Sequence, residues 1–200
     1  MIHLRPITPE ERSAYHAFRM AIYANSRVSG FIDTTSGTDI DRHDARAQHF
    51  GWFPNGELKA CVRLVEPDET GQPLPLFGVV DPYNRELALR FIQDHRQQGH
   101  RLVEASRLCL APEHRSLGNA MRFVMDVVRC AHEQGIDHGI FDLNAHHRDF
   151  YVRMGFTEID GGRPFQTHFG PSVLMTYDHE ALMARRQGKA QLGMAPAMAA

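Results

Sequence analysis

The chain is short of the residues that mark several large classes of protein. It holds three cysteines in 200 residues, Cys61, Cys109 and Cys130, widely spaced and without a CxxC pair. That excludes a disulfide scaffold and a thiolate metal cluster. An odd number inside strand-like and helix-like segments reads as buried free thiols in a reducing compartment. No apolar run approaches the roughly 20 residues needed to cross a bilayer. The opening MIHLRPITPEER lacks a basic segment followed by an apolar one, so no secretory signal is expected. A charge excess is missing too: the formal net charge is −2, whereas a nucleic-acid protein presents a strongly basic face. There is one tryptophan, Trp52, and no internal repeat. These absences point to a soluble cytoplasmic protein with no nucleic-acid partner.

What is present suits one compact domain. A 42% hydrophobic content over this length can bury a sizeable core. IHLRPI reads as a short strand. Thr8, Pro9 and Glu11 then give an N-cap, a first-turn proline and a capping-box glutamate for a helix through Ser26. Residues 25–45 are polar and aperiodic and read as a long loop. Two β-rich runs joined through Asn55-Gly56 predict a hairpin over residues 48–67. A Pro-rich connection follows, then a helix stopped at Gly99, a strand at 101–110, and a helix whose apolar stripe is Leu117, Ala120, Met121, Val124, Val127, Val128 and Ala131. GIFDLNA reads as a buried strand, HHRDFYVRMGF as a short helix ending at Gly155, and SVLMTYD as the last strand. The fold class is mixed α/β (α+β), with one domain over 1–180 and a frayed small-residue tail at 181–200.

The stretch RLVEASRLCLAPEHRSLGNAM, residues 101–121, breaks the pattern. A burial-prone strand keeps Glu104 and Arg107, and the next helix opens with Arg115-x-x-Gly118-x-Ala120. A helix N-terminus offers unpaired N–H donors and the positive end of the macrodipole, and a glycine there lets an anion approach the backbone. An arginine adds charge-assisted hydrogen bonds. The alternative is a turn glycine beside a solvated arginine.

In this order of elements, APEHRSLGNA resembles the phosphate loop of the GCN5-related N-acetyltransferases. VEASR resembles the E-x-S-R strand of the acyl-homoserine-lactone (autoinducer) synthases and the N-acyl amino acid synthases within that fold. Other segments follow the same pattern in order. Arg19 and Tyr23 sit on the first helix. DIDRHD resembles the acidic D-x-x-D loop, with Asp41, Asp44 and Asp39 just ahead. CVRLVEP supplies Arg63, and RMGFTEIDGGRP supplies Gly155, Phe156, Gly162 and Pro164. The resemblance covers most of residues 15–175. It departs from the autoinducer synthases where they carry tryptophans, since SRVSGFID and RLVEASR have none, and PEHRSLG, DFYVRMGF and His49 lean toward N-acyl amino acid synthases.

The resemblance implies a central mixed sheet, splayed between two parallel strands, and an acyl-phosphopantetheine donor, either acyl carrier protein or acyl-CoA, with no tightly bound cofactor. The donor would lie along Leu108, Leu110, Arg115, Leu117, Gly118, Asn119 and Ala120. It would acylate the α-amino group of an amino acid or of S-adenosylmethionine; with the latter, lactone closure expels methylthioadenosine. Arg19, Asp41, Asp44, Arg63 and Arg107 correspond to charges that order the acceptor, although three aspartates within six residues could equally be a solvated loop. A protonated amine needs a base, and Glu104 is the candidate, with Ser106 beside it. Strict alternation puts Glu104 and Arg107 on opposite faces; the resemblance implies a bulge around residues 105–107 that brings them to one cleft. Otherwise Glu104 is a glutamate paired with an arginine on a neighbouring strand. Tyr151 falls where the fold places a tyrosine that protonates the leaving thiolate, or is a core aromatic. Arg115, Arg122, Arg129, Arg148 and Arg153 flank the phosphate loop and suit an acidic carrier protein. Thirteen histidines include AHHRD and DRHD, but neither has metalloprotease spacing, so no metal is expected. An acetyl-CoA-dependent N-acetyltransferase and a non-catalytic acyl or amide sensor of the same fold are the competing functions.

Overall fold

In the computed structural model, which describes residues 2–25, 35, 37–68 and 74–185, the β-rich runs join one eight-stranded sheet. In chain order the strands are β1 (Arg5–Pro6), β2 (Gln48–Trp52), β3 (Ala60–Val65), β4 (Leu102–Leu110), β5 (His138–Asn144), β6 (Thr157–Glu158), β7 (Phe165–Thr167) and β8 (Gly170–Asp178). The helices are α1 (Arg12–Ala24), α2 (Pro82–Gln97), α3 (Leu117–Glu133) and α4 (Arg148–Met154). The spatial order is β1-β2-β3-β4-β5-β8-β6, with β7 paired to β8. Among the described strands, all pairs are antiparallel except β4 with β5.

That parallel pair decides the architecture. Its register runs Leu102↔His138, Val103↔Gly139 and Glu104↔Ile140. Beyond Glu104 the strands continue, β4 to Leu110 and β5 to Asn144, without pairing. The sheet is therefore open toward the C-terminal ends of these two strands, which is the splay implied by the resemblance.

Helices cover both faces, and β3 shows why its sequence does not alternate in polarity. Ala60, Val62 and Leu64 meet Phe123, Val127 and Ala131 of α3. Cys61 meets Tyr15 of α1, and Val65 packs with Ala88 and Ile92 of α2. All six residues of β3 are buried. A fully buried Val, Leu or Phe contributes about 1.5–3 kcal/mol, so this strand anchors the layers. On α3, Phe123 and Cys130 join the buried face, whereas Leu117 is 70% exposed and Met121 is 38% exposed. The apolar stripe read from the sequence thus outruns the core by one turn. All three cysteines are buried free thiols.

The structure moves several boundaries. α1 begins at Arg12 rather than beside Thr8, because residues 8–11 form a turn with Glu11 N–H donating to Thr8 O at 3.1 Å. The glutamate half of the expected capping box survives: Glu11 accepts from Thr8 N–H at 3.0 Å while pairing with Arg5 at 2.6 Å. The hairpin turn holds, with Asn55 and Gly56 both at positive φ, as a tight twisted turn requires. Strands β6 and β7, in a segment to which the sequence assigns no element, are too short to give a period. Residues 179–185 turn helically and bury Leu182 against the α3–α4 core, inside the span read as tail; residues 186–200, with 26–34 of the expected loop, lie outside the described residues.

Candidate active site

The bulge is where sequence and geometry meet. On β3, Arg63 faces Ser106 and Cys61 faces Cys109, so Arg107 and Leu108 together oppose Val62. Arg107 takes a left-handed φ of 54°. This extra residue is what strict alternation lacks. Ahead of it, Val103 and Ala105 face α3; past it, Leu108 faces α3 and Cys109 faces α1. Arg107 is thereby turned to the side occupied by Glu104 and Ser106, as the bulge implied by the resemblance requires.

Two cavities meet at this point. One, of about 630 Å³, runs along Leu108, Leu110, Arg115, Ser116, Leu117 and Ala120, with Phe150 and Tyr151 opposite. Ser116 caps α3 by accepting from Asn119 N–H at 3.2 Å, and Arg115 is braced by donating to Leu110 O at 3.0 Å. Gly118 and Asn119 do not line this cavity; a Cβ on Gly118 would meet nothing within 4 Å, so its side opens outward. Asn119 instead ties the loop by donating to His114 O at 2.9 Å.

The second cavity, about 340 Å³, lies in the splay and is lined by Tyr23, Glu104, Ser106, Arg107, Asp142 and Asn144 among others. Leu108 and Tyr151 border both cavities. Glu104 is 2% exposed. It makes no ion pair among the described residues, contrary to the alternative of a surface glutamate bridged to an arginine. One oxygen accepts from Leu76 N–H at 2.9 Å. Burial raises its carboxyl to about 8, against that hydrogen bond and with help from Asp142. Tyr151 has no hydrogen-bond partner among the described residues, and burial pushes its phenol up to about 12. Asp142, raised by burial to about 6, is the residue the sequence reading missed. Its signal was a lone carboxylate inside the apolar run GIFDLNA.

A splayed parallel pair, a bulge that turns Arg107 toward a buried glutamate, and a helix N-terminus facing the same opening form an acyltransferase arrangement, and the sequence comparison decides the family. The profile of the N-acyl amino acid synthase FeeM family matches residues 14–178. The chain belongs to that family. It is therefore an acyltransferase enzyme of the N-acyl amino acid synthase family. The solved structure of FeeM, an N-acyl amino acid synthase from uncultured soil microbes, shares 23% identity over 92% of this chain and 94% of its own, with a TM-score of 0.65. The CoA-dependent acyl-homoserine lactone synthase BjaI, solved with MTA, shares 15% identity over 92% of this chain and 88% of its own, with a TM-score of 0.68. A putative N-acetyltransferase from Lactobacillus plantarum has a TM-score of 0.57 at 17% identity, over 88% of this chain and 98% of its own. These likenesses carry the fold. No curated protein matches the sequence significantly.

The five charges expected at the acceptor site sit chiefly on one another. Arg19 donates to Asp39 at 2.8 Å and to Asp44 at 2.5 Å. Arg63 donates to Asp41 at 2.7 Å, Asp44 at 3.0 Å and Ser106 Oγ at 3.1 Å. Arg107 pairs with Asp39 at 2.9 Å and Asp41 at 3.3 Å. Burial alone would raise Asp44, but the Arg19 and Arg63 guanidiniums overcome it and hold the carboxyl well below the usual range. His49, kept neutral by burial at about 4, donates to Asp44 O at 3.0 Å and accepts from Tyr15 OH at 3.0 Å. Three arginines and three aspartates thus neutralise each other and fasten the acidic loop to α1, β3 and the bulge. Of the five, only Arg107 lines the splay cavity.

The arginines expected to face a carrier protein divide. Arg129 pairs with Asp126 at 2.6 Å and Glu133 at 2.6 Å, and Arg148 pairs with Glu158 at 2.5 Å. Arg122, which donates to Asn119 Oδ1 at 3.4 Å, and Arg153 are exposed. Trp52 is half-buried against the α3 core rather than in the cleft. No helix among the described residues is long and apolar enough to cross a membrane.

Proposed function

We propose that this acyltransferase carries a fatty acyl thioester in the groove between β4 and the start of α3, and acylates the α-amino group of an amino acid seated in the splay cavity. The observation that carries this reading is Glu104: a buried carboxylate raised to about 8, facing the splay cavity that Leu108 and Tyr151 share with the groove. An α-ammonium titrates at about 7.7–8.0 in peptides and higher in a free amino acid, so raising the carboxylate to about 8 brings the base far closer to its proton donor than an ordinary glutamate would be. The neutral amine then attacks the thioester carbonyl; a C–N bond forms, the C–S bond breaks, Tyr151 gives its proton to the departing thiolate, and the second amine proton passes to the tyrosinate, which restores the phenol. Ser106, held by Arg63, positions the bulge. The pantetheine phosphate sits at the N-terminus of α3 with Arg115, where Gly118 leaves the approach open. Arg107 faces the acceptor carboxylate, held by Asp39 and Asp41. Acyl carrier protein is the proposed donor, with acyl-CoA as the alternative carrier of the same arm.

Asp142 favours a second acceptor. A second carboxylate in the cavity suits a molecule with two cationic centres, and S-adenosylmethionine has an ammonium and a sulfonium. Purified protein given acyl carrier protein or CoA thioesters, with amino acids or S-adenosylmethionine, distinguishes these by mass spectrometry. An N-acyl amino acid supports the first reading. An acyl-homoserine lactone with methylthioadenosine supports the second. Thioester consumption without any amide product refutes both.

A further inference from the structure

At the N-terminal end of β5, opposite the splay, three histidines from three segments converge. His95 lies in the last turn of α2, His100 follows that helix, and His138 opens β5. Their coordinating atoms all lie within 4.8 Å of one another. The ring centroids are 4.4 Å apart for His95 and His138, 4.6 Å for His100 and His138, and 5.8 Å for His95 and His100. We propose that His95, His100 and His138 bind a first-row divalent cation of the Zn²⁺ class.

The rings are oriented from behind. His95 Nδ1 lies 2.8 Å from Phe91 O, so it must be the protonated nitrogen, and Nε2 keeps its lone pair. His138 is 7% exposed, and its Nδ1 makes no hydrogen bond among the described residues. The atom beyond that Nδ1 is Asp178 Oδ2 at 3.2 Å. A hydrogen-bonded carbonyl or carboxylate behind the ring fixes the tautomer and direction of metal-binding histidines; Phe91 O already serves His95, and Asp178 stands within reach to serve His138 once a cation turns its ring. His100 is exposed and free to rotate onto a cation. Zn–N bonds of about 2.0–2.1 Å in tetrahedral geometry place ligand nitrogens about 3.4 Å apart, so closing from 4.8 Å requires movements of about 1.4 Å or less. Three imidazoles select Zn²⁺, Cu²⁺ or Ni²⁺ over Mg²⁺ and Ca²⁺, and leave a fourth position for water.

A neighbouring trio shows what such a cluster looks like without a site. His132, Asp137 and His179 are equally close. There His132 Nδ1 already bonds Asp137 at 2.5 Å. The two rings stack face to face at 3.7 Å and 8°, closer and more nearly parallel than His100 and His138 at 4.6 Å and 30°, which leaves less room for a cation between them. The bound cation at the first trio would tie the end of α2 to the base of the parallel strand pair, since His138 is the register partner of Leu102. It would stand apart from the acyl-transfer chemistry. Sequence spacing hid it: residues 95 and 100 are not a helical pair, and His138 comes from another strand.

Chelator-treated protein titrated with Zn²⁺ against a chromophoric chelator, and with Co²⁺ read by its visible ligand-field absorption, tests the site. One equivalent of tetrahedral Co²⁺, displaced by Zn²⁺, is expected. His100→Gln, at an exposed position that does not threaten folding, should weaken binding at least tenfold. Asp178→Asn should weaken it about 10–100-fold through loss of the orienting carboxylate. A His132→Gln/His179→Gln variant should bind as the wild type does. Zn²⁺ affinity unchanged in His100→Gln, or reduced in the His132/His179 variant but not in His100→Gln, overturns the proposal.

Discussion

Replacing Glu104 with glutamine should make the enzyme slower and more stable at once. The side chain is 2% exposed, and its carboxyl is raised from an ordinary 4.5 to about 8. Such a group keeps its proton more tightly folded than unfolded. Its contribution to stability is complete below about pH 4.5 and is lost progressively as pH rises through about 8. At pH 7 the loss spans about 2.5 units, or about 3 kcal/mol. Glutamine suffers no such loss, and its amide oxygen can still accept from Leu76 N–H. Glu104→Gln should therefore melt well above the wild type at pH 7–8 and level with it near pH 4. Turnover should move the other way. At pH 7 about one molecule in ten carries the ionised base, so wild-type kcat should rise tenfold per pH unit and flatten above about 8. The variant should lose about 10²–10⁴-fold of kcat and the rising limb with it. Thiol release under saturating substrates gives kcat, and thermal melts at three pH values give stability. Near-normal turnover with an intact rising limb would refute Glu104 as the base. Identical melting of the two proteins at pH 8 would refute its desolvation.

Tyr151→Phe should lower kcat about 10–10²-fold with little change in donor KM, because the hydroxyl acts on the leaving thiolate; its pH profile below pH 10 should keep the wild-type shape. Gly118→Asp should raise donor KM about tenfold or more by placing a carboxylate beside the pantetheine phosphate, while Gly118→Ala folds and binds normally. Asp44→Asn removes one partner from a buried ion network and should cost about 3–5 kcal/mol in urea unfolding. In the wild type, Asp41 and Asp44 are held below the usual range, so their stabilisation is present above about pH 4 and lost as pH falls. Arg122→Glu with Arg153→Glu should slow reaction with acyl carrier protein, most at low salt, and spare acyl-CoA; equal loss with both donors counts against a carrier-docking surface.

The parts of the site that depend on local chemistry were legible. The Asn55-Gly56 turn, the Ser116-capped start of α3 and the charged strand around Glu104 are each written within a few residues. What escaped depends on residues far apart in sequence. Asp142 acquires its character only because β5 splays from β4 beside Glu104. The three aspartates of DIDRHD could be solvated or ligating by sequence; it is Arg19 on α1, Arg63 on β3 and Arg107 on the bulge that make them a closed network. Arg129 is the exception, since its partners Asp126 and Glu133 lie at i−3 and i+4 on its own helix and were legible beside it. The late start of α1 followed from the turn over residues 8–11, which Glu11 closes while bridging Thr8 N–H and the distant Arg5.

The parallel pairing of β4 with β5 is confined to residues 102–104 and 138–140. On one side of those pairs stand β1, β2 and β3, and on the other β8, β6 and β7. Mechanically, the two half-sheets form a pair of tongs with a short pivot and long arms. From Glu104 to Leu110 the arm is six residues, roughly 20 Å. A rotation of about 5° at the pivot would then move the mouth by about 1.7 Å, close to the width of one methylene. Gly139, in the middle pair, has no room for a side chain because a Cβ would fall 2.1 Å from the Tyr177 ring. The gauge of the acyl and acceptor cavities is thus set at three residue pairs of which only Glu104 faces a cavity, and changes in acyl-chain preference should arise from substitutions at the other pivot positions as readily as from the cavity walls.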